Sequence, residues 1–297
     1  MCETECVVQY NPRELAHDEL VLSHFSLARA HRIADRVRLA AANGFSAIGL
    51  YAGHYQQLEA DGFAPHGLHE LFDQHGVCLA EIEVVPGLGA DGVGGQRAAE
   101  IEAIAWRMAD EFGCRYLQVI GPAELPLAVA AAAFGQLCDR AAAHGLVVGL
   151  EFLPFTDIVS VNDARNIVEV AGRSNGGICV DIWHHQRGAN DLAAIADLPG
   201  ELITGVQLSD GPLLPRDADY YTDCLENRVP PGQGEFGFAE FIAAIRATGC
   251  RVPLSLEVCS KTGWQHPDEH VQAIAEGMHR FNDQWPLAQD QRPMAGN

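Results

Sequence analysis

Four times along this chain a helix-patterned stretch closes on a glycine and a run of β-type residues follows within a few positions. The junctions are Asn43-Gly44-Phe45, Phe112-Gly113-Cys114, His144-Gly145-Leu146 and Thr248-Gly249-Cys250. Glycine takes the left-handed position beyond a helix end that other residues resist, so each junction reads as a helix stop feeding a strand. Eight apolar runs fit strands covered on both faces: VLSHFS from Val21, SAIGLYA from Ser46, VCLAEIEVV from Val77, YLQVIG from Tyr116, LVVGLEF from Leu146, GICVDIW from Gly177, LITGVQLSD from Leu202 and VPLSLEV from Val252. Between them, spacings of three and four between apolar residues predict helices over Ala30–Asn43, Gln96–Phe112, Leu125–His144, Val161–Gly172, Phe238–Thr248 and Pro267–Gln284. Eight βα units in 297 residues predict an α/β chain folded as one (β/α)8 barrel over 1–285, with a frayed tail over 286–297. A doubly wound sheet would want a phosphate-binding glycine turn after the first strand, and Leu27-Ala28-Arg29 stands there instead.

Charge narrows the function. The chain carries 40 Asp+Glu against 19 Lys+Arg, a net −21, which repels nucleic acid and anionic membrane alike. Lys261 is the one lysine, so imine chemistry has a single candidate. The N-terminus lacks the basic and apolar regions of a signal peptide, and no apolar run approaches a membrane span. The nine cysteines include no CxxC pair; Cys2 and Cys6 are the close ones. A cytoplasmic protein acting on a small molecule is expected.

In a barrel the working residues gather at the C-terminal ends of the strands. Strands five to eight carry Glu151, Asp181, Gln207 and Glu257 there, each set into an otherwise apolar run. Three converging carboxylates would repel unless a cation sat among them. With an amide oxygen they form a hard donor set that suits Mg2+ or Mn2+, and Co2+ after them. His184 follows Asp181 by three residues, and the stretch Gly211–Glu235 is long enough to serve as a lid. His24, His54 and Tyr55 fall at the ends of strands one and two, and Trp183 and Phe152 are candidate apolar walls. Glu81 and Glu83 lie on strand three, where one is expected to point inward. His185 reads as an outward neighbour of His184, Lys261 as a surface residue, and Gly87–Gly95 as a flexible loop.

The order Glu, Asp-x-x-His, Gln, Glu at these strand ends resembles the xylose-isomerase-like TIM-barrel family. That family includes sugar and sugar-phosphate isomerases and epimerases, hydroxypyruvate isomerase, keto-inositol dehydratase and 3-dehydroshikimate dehydratase. The motifs that carry the resemblance are LEF at 150–152, VDIWHH at 180–185, VQLSD at 206–210, RVPPGQGEF at 228–236 and PLSLEV at 253–258. The resemblance implies one divalent cation on Glu151, Asp181, Gln207 and Glu257, His184 facing the substrate, and Arg228 on an anionic or hydroxylated part of it. VQLSDGP and PGQG look most like the dehydroshikimate dehydratases, although DCLENRVP stands where those have a His-rich segment. Sugar epimerases usually place His where this chain has Gln207.

The expected chemistry is proton abstraction α to a polarised carbonyl. Glu151 and Glu257, on opposite sides of the cation, would take and return the proton, with His184 as acid and His54, Trp183 and Arg228 around the substrate. A metal-dependent isomerase or epimerase of a sugar or polyhydroxy-carbonyl compound is the first expectation. Loss of a β-hydroxyl from the same intermediate would make a dehydratase, and a non-catalytic sugar-binding or partner subunit is a third reading. A DNA-repair endonuclease of the same superfamily would use several zinc ions and histidine ligands, which this set does not offer. Such barrels also imply a homodimer or homotetramer.

Overall fold

Eight parallel strands close on themselves in the order β1 to β8, each paired with its sequence neighbours and β8 paired back onto β1. They are β1 Leu20–Leu22, β2 Ala47–Tyr51, β3 Cys78–Val85, β4 Tyr116–Ile120, β5 Val147–Glu151, β6 Gly176–Asp181, β7 Ile203–Leu208 and β8 Leu254–Leu256. The computed structural model describes residues 15–121 and 124–284. The tail expected over 286–297, and Cys2 and Cys6, lie outside the described residues. Helices wrap the barrel and bury their apolar stripes against it; Ile101, Ile104, Met108 and Phe112 on Gly92–Phe112 are an example. Gly44, Gly113, Gly145 and Gly249, the four expected helix stops, all take positive φ. No described helix is long and apolar enough to cross a membrane.

The differences from expectation are local. The first strand ends at Leu22, and His24–Ser26 is a 3-10 turn capped by the Ser23 hydroxyl. Two helices, Ala52–Ala60 and Pro65–His75, fill the first long connection, and a third, Tyr220–Glu226, lies inside the long stretch before the last βα unit. The glycine run expected as a loop joins a helix that begins at Gly92.

The interior of the barrel is polar over much of its height. Barrels of this kind usually fill that space with branched apolar side chains. Here Tyr116, Gln118, Glu151, Cys179, Asp181, Gln207, Ser255 and Glu257, each two residues from another or across from one, meet inside. Glycines make the room: a Cβ on Gly149 or Gly205 would collide with the Tyr116 hydroxyl, and one on Gly49 with the Glu83 carboxylate.

Candidate active site

Asp181 ends β6 and caps the short helix Ile182–Arg187, accepting from the backbone N–H groups of Trp183 and His184. That cap explains the spacing in DIWHH: the first helical turn carries His184 over the barrel mouth, with its Nε2 at 3.3 Å from Glu151 Oε1. On its other side His184 Nδ1 meets the Tyr220 hydroxyl at 2.7 Å. Glu151 is held from below by Gln118, whose Nε2 donates to Glu151 at 2.8 Å and to Gln207 Oε1 at 3.2 Å. Gln207 in turn donates to Glu257 Oε1 at 3.2 Å. Ser23 closes the ring, donating to Glu83 at 2.9 Å and lying 3.5 Å from Glu257.

Arg228, in the long loop, reaches under this ring. Its Nη1 lies 2.7 Å from Asp181 Oδ2 and 3.0 Å from Glu257 Oε2, and its Nε donates to the Cys224 carbonyl. Burial pushes the Asp181 carboxyl up, but the Arg228 charge, aided by His184, outweighs it and holds the group below its ordinary value. Burial wins at Glu257, which is raised well above the carboxylate range against the pull of Arg228. Deeper in the barrel burial raises Glu81 to about 7, and burial together with Glu81 raises Glu83 to about 8.

The long loop is fastened rather than free. Asp210, just past β7, accepts from the N–H groups of Gly211, Gly232, Gly234 and Phe236 at 2.7 to 3.0 Å. The PGQG turn is thus folded around one buried carboxylate, and a Cβ at Gly234 would collide with it. Asp223 anchors the other half through Arg187 Nε at 3.1 Å and the N–H of Arg216 at 2.9 Å. Arg187 is stacked over Trp183 at 4.4 Å and near Phe236 at 5.2 Å.

A divalent cation fits this donor set. Ligand atoms of Glu151, Asp181 and His184 lie within 4.8 Å of one another, all buried. Asp181 and Glu257 already share one cation, the Arg228 guanidinium. Gln207 turns its NH2 group to Glu257 and its oxygen to Gln118, so as a ligand it would present the oxygen by turning its amide. His184 brings its Nε2 to 3.3 Å from Glu151, beside what the sequence presents as an all-oxygen set.

Of the four expected ligands, Glu151 and Asp181 lie together with His184, while Gln207 and Glu257 are tied to them through Gln118 and Arg228. Arg228 is placed on the carboxylates, with 2% of its surface exposed, rather than over the mouth. Trp183 is fully buried, its ring packed against Phe236 and under the Arg187 guanidinium. Phe152 is buried as well, and Tyr55 packs edge-on against Phe112 in the helical layer. His54 stands beside His24 at the ends of β2 and β1. Glu81 and Glu83, two residues apart on one strand, both point inward, since alternate strand residues share a face. His185 faces outward onto Phe241, and Lys261 pairs with Glu226 at the surface. Gln118 was missed although it is a polar residue in an apolar strand like the others. Ser23, Tyr220 and Asp210 gave no comparable signal, because their roles depend on loops folding back.

Comparison with known proteins agrees with the fold. The model of the xylose isomerase-like TIM barrel family matches residues 37–283. A 3-dehydroshikimate dehydratase of Pseudomonas aeruginosa is 42% identical over 124 residues, 41% of this chain and 19% of that protein. An inosose isomerase of Bacillus velezensis is 27% identical over 125 residues, 41% of this chain and 43% of that protein. The matched stretch thus spans less than half the length of these relatives. Among solved structures, the IolI protein with a bound zinc atom superposes with a TM-score of 0.82 at 16% identity, covering 91% of this chain and all of that one. With a closed eight-stranded barrel and a family match over most of its length, the chain belongs to the xylose isomerase-like TIM barrel family.

Proposed function

We propose that the chain is a divalent-cation-dependent lyase that removes water from a cyclic β-hydroxy ketone of the 3-dehydroshikimate kind. The observation that carries this reading is the asymmetry of the site. Glu151 has an acid–base partner at 3.3 Å in His184, itself oriented by Tyr220, whereas Glu257 is held by Arg228 and Gln207. Dehydration needs one base for the α-proton and one acid for the departing hydroxyl, and both stand on the Glu151 side. Epimerisation needs proton carriers of similar freedom on both faces of the carbon.

A bound divalent cation supplies Lewis-acid polarisation of the ketone and offsets the charge that develops on its oxygen. Glu151 takes the α-proton, and His184 gives its proton to the leaving hydroxyl. The Tyr220 hydroxyl fixes the ring and tautomer of His184. Arg228 offsets the charge of Asp181 and Glu257, so the site does not depend on the cation alone for its assembly. The higher identity to the dehydratase than to the inosose isomerase supports the same order.

Isomerisation or epimerisation of a polyhydroxy ketone is the second reading, favoured by the inosose isomerase match. Incubation with 3-dehydroshikimate and with inososes in D2O containing Mn2+ separates them. Loss of water with a rising aromatic absorbance supports the lyase. Deuterium uptake without loss of water contradicts it in favour of the isomerase, and ligand binding without either reaction favours a non-catalytic barrel.

A further inference from the structure

Across the barrel from Asp181, where β1 and β2 end, two imidazoles face each other with their ring centroids 5.2 Å apart. His24 is 1% exposed and neither of its ring nitrogens has a partner; His54 is 8% exposed and its Nδ1 has none. A buried polar nitrogen left without a hydrogen bond is costly, so such a pair is retained where something else satisfies it. Tyr51 lies 6.0 Å from His24, and the Arg29 guanidinium sits over the Tyr51 ring at 5.2 Å. Arg29 is exposed and makes no ion pair with any described carboxylate. Arg36 adds a second positive charge from behind, its donors spent on the carbonyls of His24, Leu27 and Ala28. The acid nearest the pair is Glu83, which accepts from the His24 backbone N–H at 2.9 Å and from Ser23. In a chain of net charge −21, this corner of the mouth brings two arginines to the imidazole pair beside one buried carboxyl.

We infer that His24, His54 and Arg29 form the subsite for the carboxylate of an anionic ring substrate. The inference rests on the lyase reading for its substrate ring, and it selects a ring acid over an uncharged polyol such as an inosose. The corner belongs to the same mouth as the cation site: Ser23, the neighbour of His24, lies 3.5 Å from Glu257. β2 stands four strands from β6 in the closed barrel, so a ring with its ketone at the strand-five-to-eight side presents its far substituent here. Each neutral imidazole offers one directional N–H donor, and Arg29 gives the charge.

Loss of water from 3-dehydroshikimate leaves, after tautomerisation, 3,4-dihydroxybenzoate. That acid and its uncharged twin, 3,4-dihydroxybenzamide, share the same vicinal oxygens and differ at the carboxylate. Calorimetric titration of the Mn2+-loaded protein is expected to show the acid binding at least about tenfold more tightly than the amide (1.4 kcal/mol). Arg29→Ala and His54→Leu are each expected to remove most of that preference while changing affinity for the amide less than about twofold. Equal affinity of the two ligands in the wild type, or a preference untouched in both variants, would overturn the subsite. Arg29 is exposed, so its variant tests the idea even if the buried His54 variant does not fold. A retained preference for the acid with no turnover of 3-dehydroshikimate would sink the lyase and leave the subsite standing for another ring acid.

Discussion

One guanidinium nitrogen of Arg228 lies 2.7 Å from Asp181 and 3.0 Å from Glu257. All three side chains are buried, with the Asp181 and Arg228 side chains 0% and 2% exposed. Two carboxylates so close would not both stay ionised without a positive partner, and the structure divides them: Asp181 is held as the anion and Glu257 is pushed toward its neutral form. A divalent ion would do the same work with twice the charge.

Replacing Arg228 with methionine is therefore expected to cost about 3–5 kcal/mol of stability, the usual consequence of leaving a buried carboxylate without its partner. Added Mn2+ should restore more of the melting temperature in Arg228→Met than it adds to the wild type. Thermal unfolding with and without the ion reads this directly, and equal shifts in the two proteins would show that Arg228 and the cation act at separate places.

Tyr220 reaches His184 Nδ1 from the helix Tyr220–Glu226. Removing its hydroxyl in Tyr220→Phe should lower kcat roughly 10- to 100-fold, at the low end of what a positioned acid contributes, and leave KM within a few-fold. A kcat within twofold of wild type would remove Tyr220 from the mechanism.

How far the sequence reached follows from where each residue's partners lie. The barrel was legible because glycine stops and apolar runs recur locally, and the ligands were legible because a carboxylate in an apolar strand stands out. Arg228 was found in the loop, but its direction was not, since it depends on Asp210 and Asp223 folding that loop back onto the barrel. The packing of Trp183 onto Phe236 and Arg187 was hidden for a related reason. The cap at Asp181 begins a helix at Ile182, so strand alternation no longer governs the following residues. The polar interior was also hidden, because Gly49, Gly149 and Gly205 read as weak strand residues until the side chains they admit are seen.

Asp210 holds four backbone N–H groups of the long loop. Asp210→Ala should leave Gly232, Gly234 and Phe236 without their acceptor and cost about 2–3 kcal/mol locally, in line with hydrogen bonds to a charged group. Hydrogen exchange is expected to show lost protection confined to 211–236, with the strands unchanged. Unaltered exchange in that stretch would contradict the anchoring role.

Burial raises Glu83 from 4.5 to about 8 and Glu81 from 4.5 to about 7. Above pH 4.5 the unfolded chain releases protons that the folded one retains, so stability falls as pH rises through this window and levels off beyond about 8. With chelator present, Glu83→Gln should show a shallower fall in melting temperature between pH 5 and 9 than wild type. A fall as steep as in the wild type would mean that Glu83 ionises as freely folded as unfolded.

The proposed reaction depends on a cation held at the strand-end cluster of Glu151, Asp181, Gln207 and Glu257. The direct measurement is turnover of 3-dehydroshikimate by chelator-stripped protein, before and after Mn2+, Mg2+ or Zn2+ is added back. No aromatic product is expected from the stripped protein, recovery is expected with at least one ion, and no recovery is expected in Glu151→Gln that remains folded and binds the ion weakly. Full activity of the stripped protein, or product formation by folded Glu151→Gln at the wild-type rate, would contradict it.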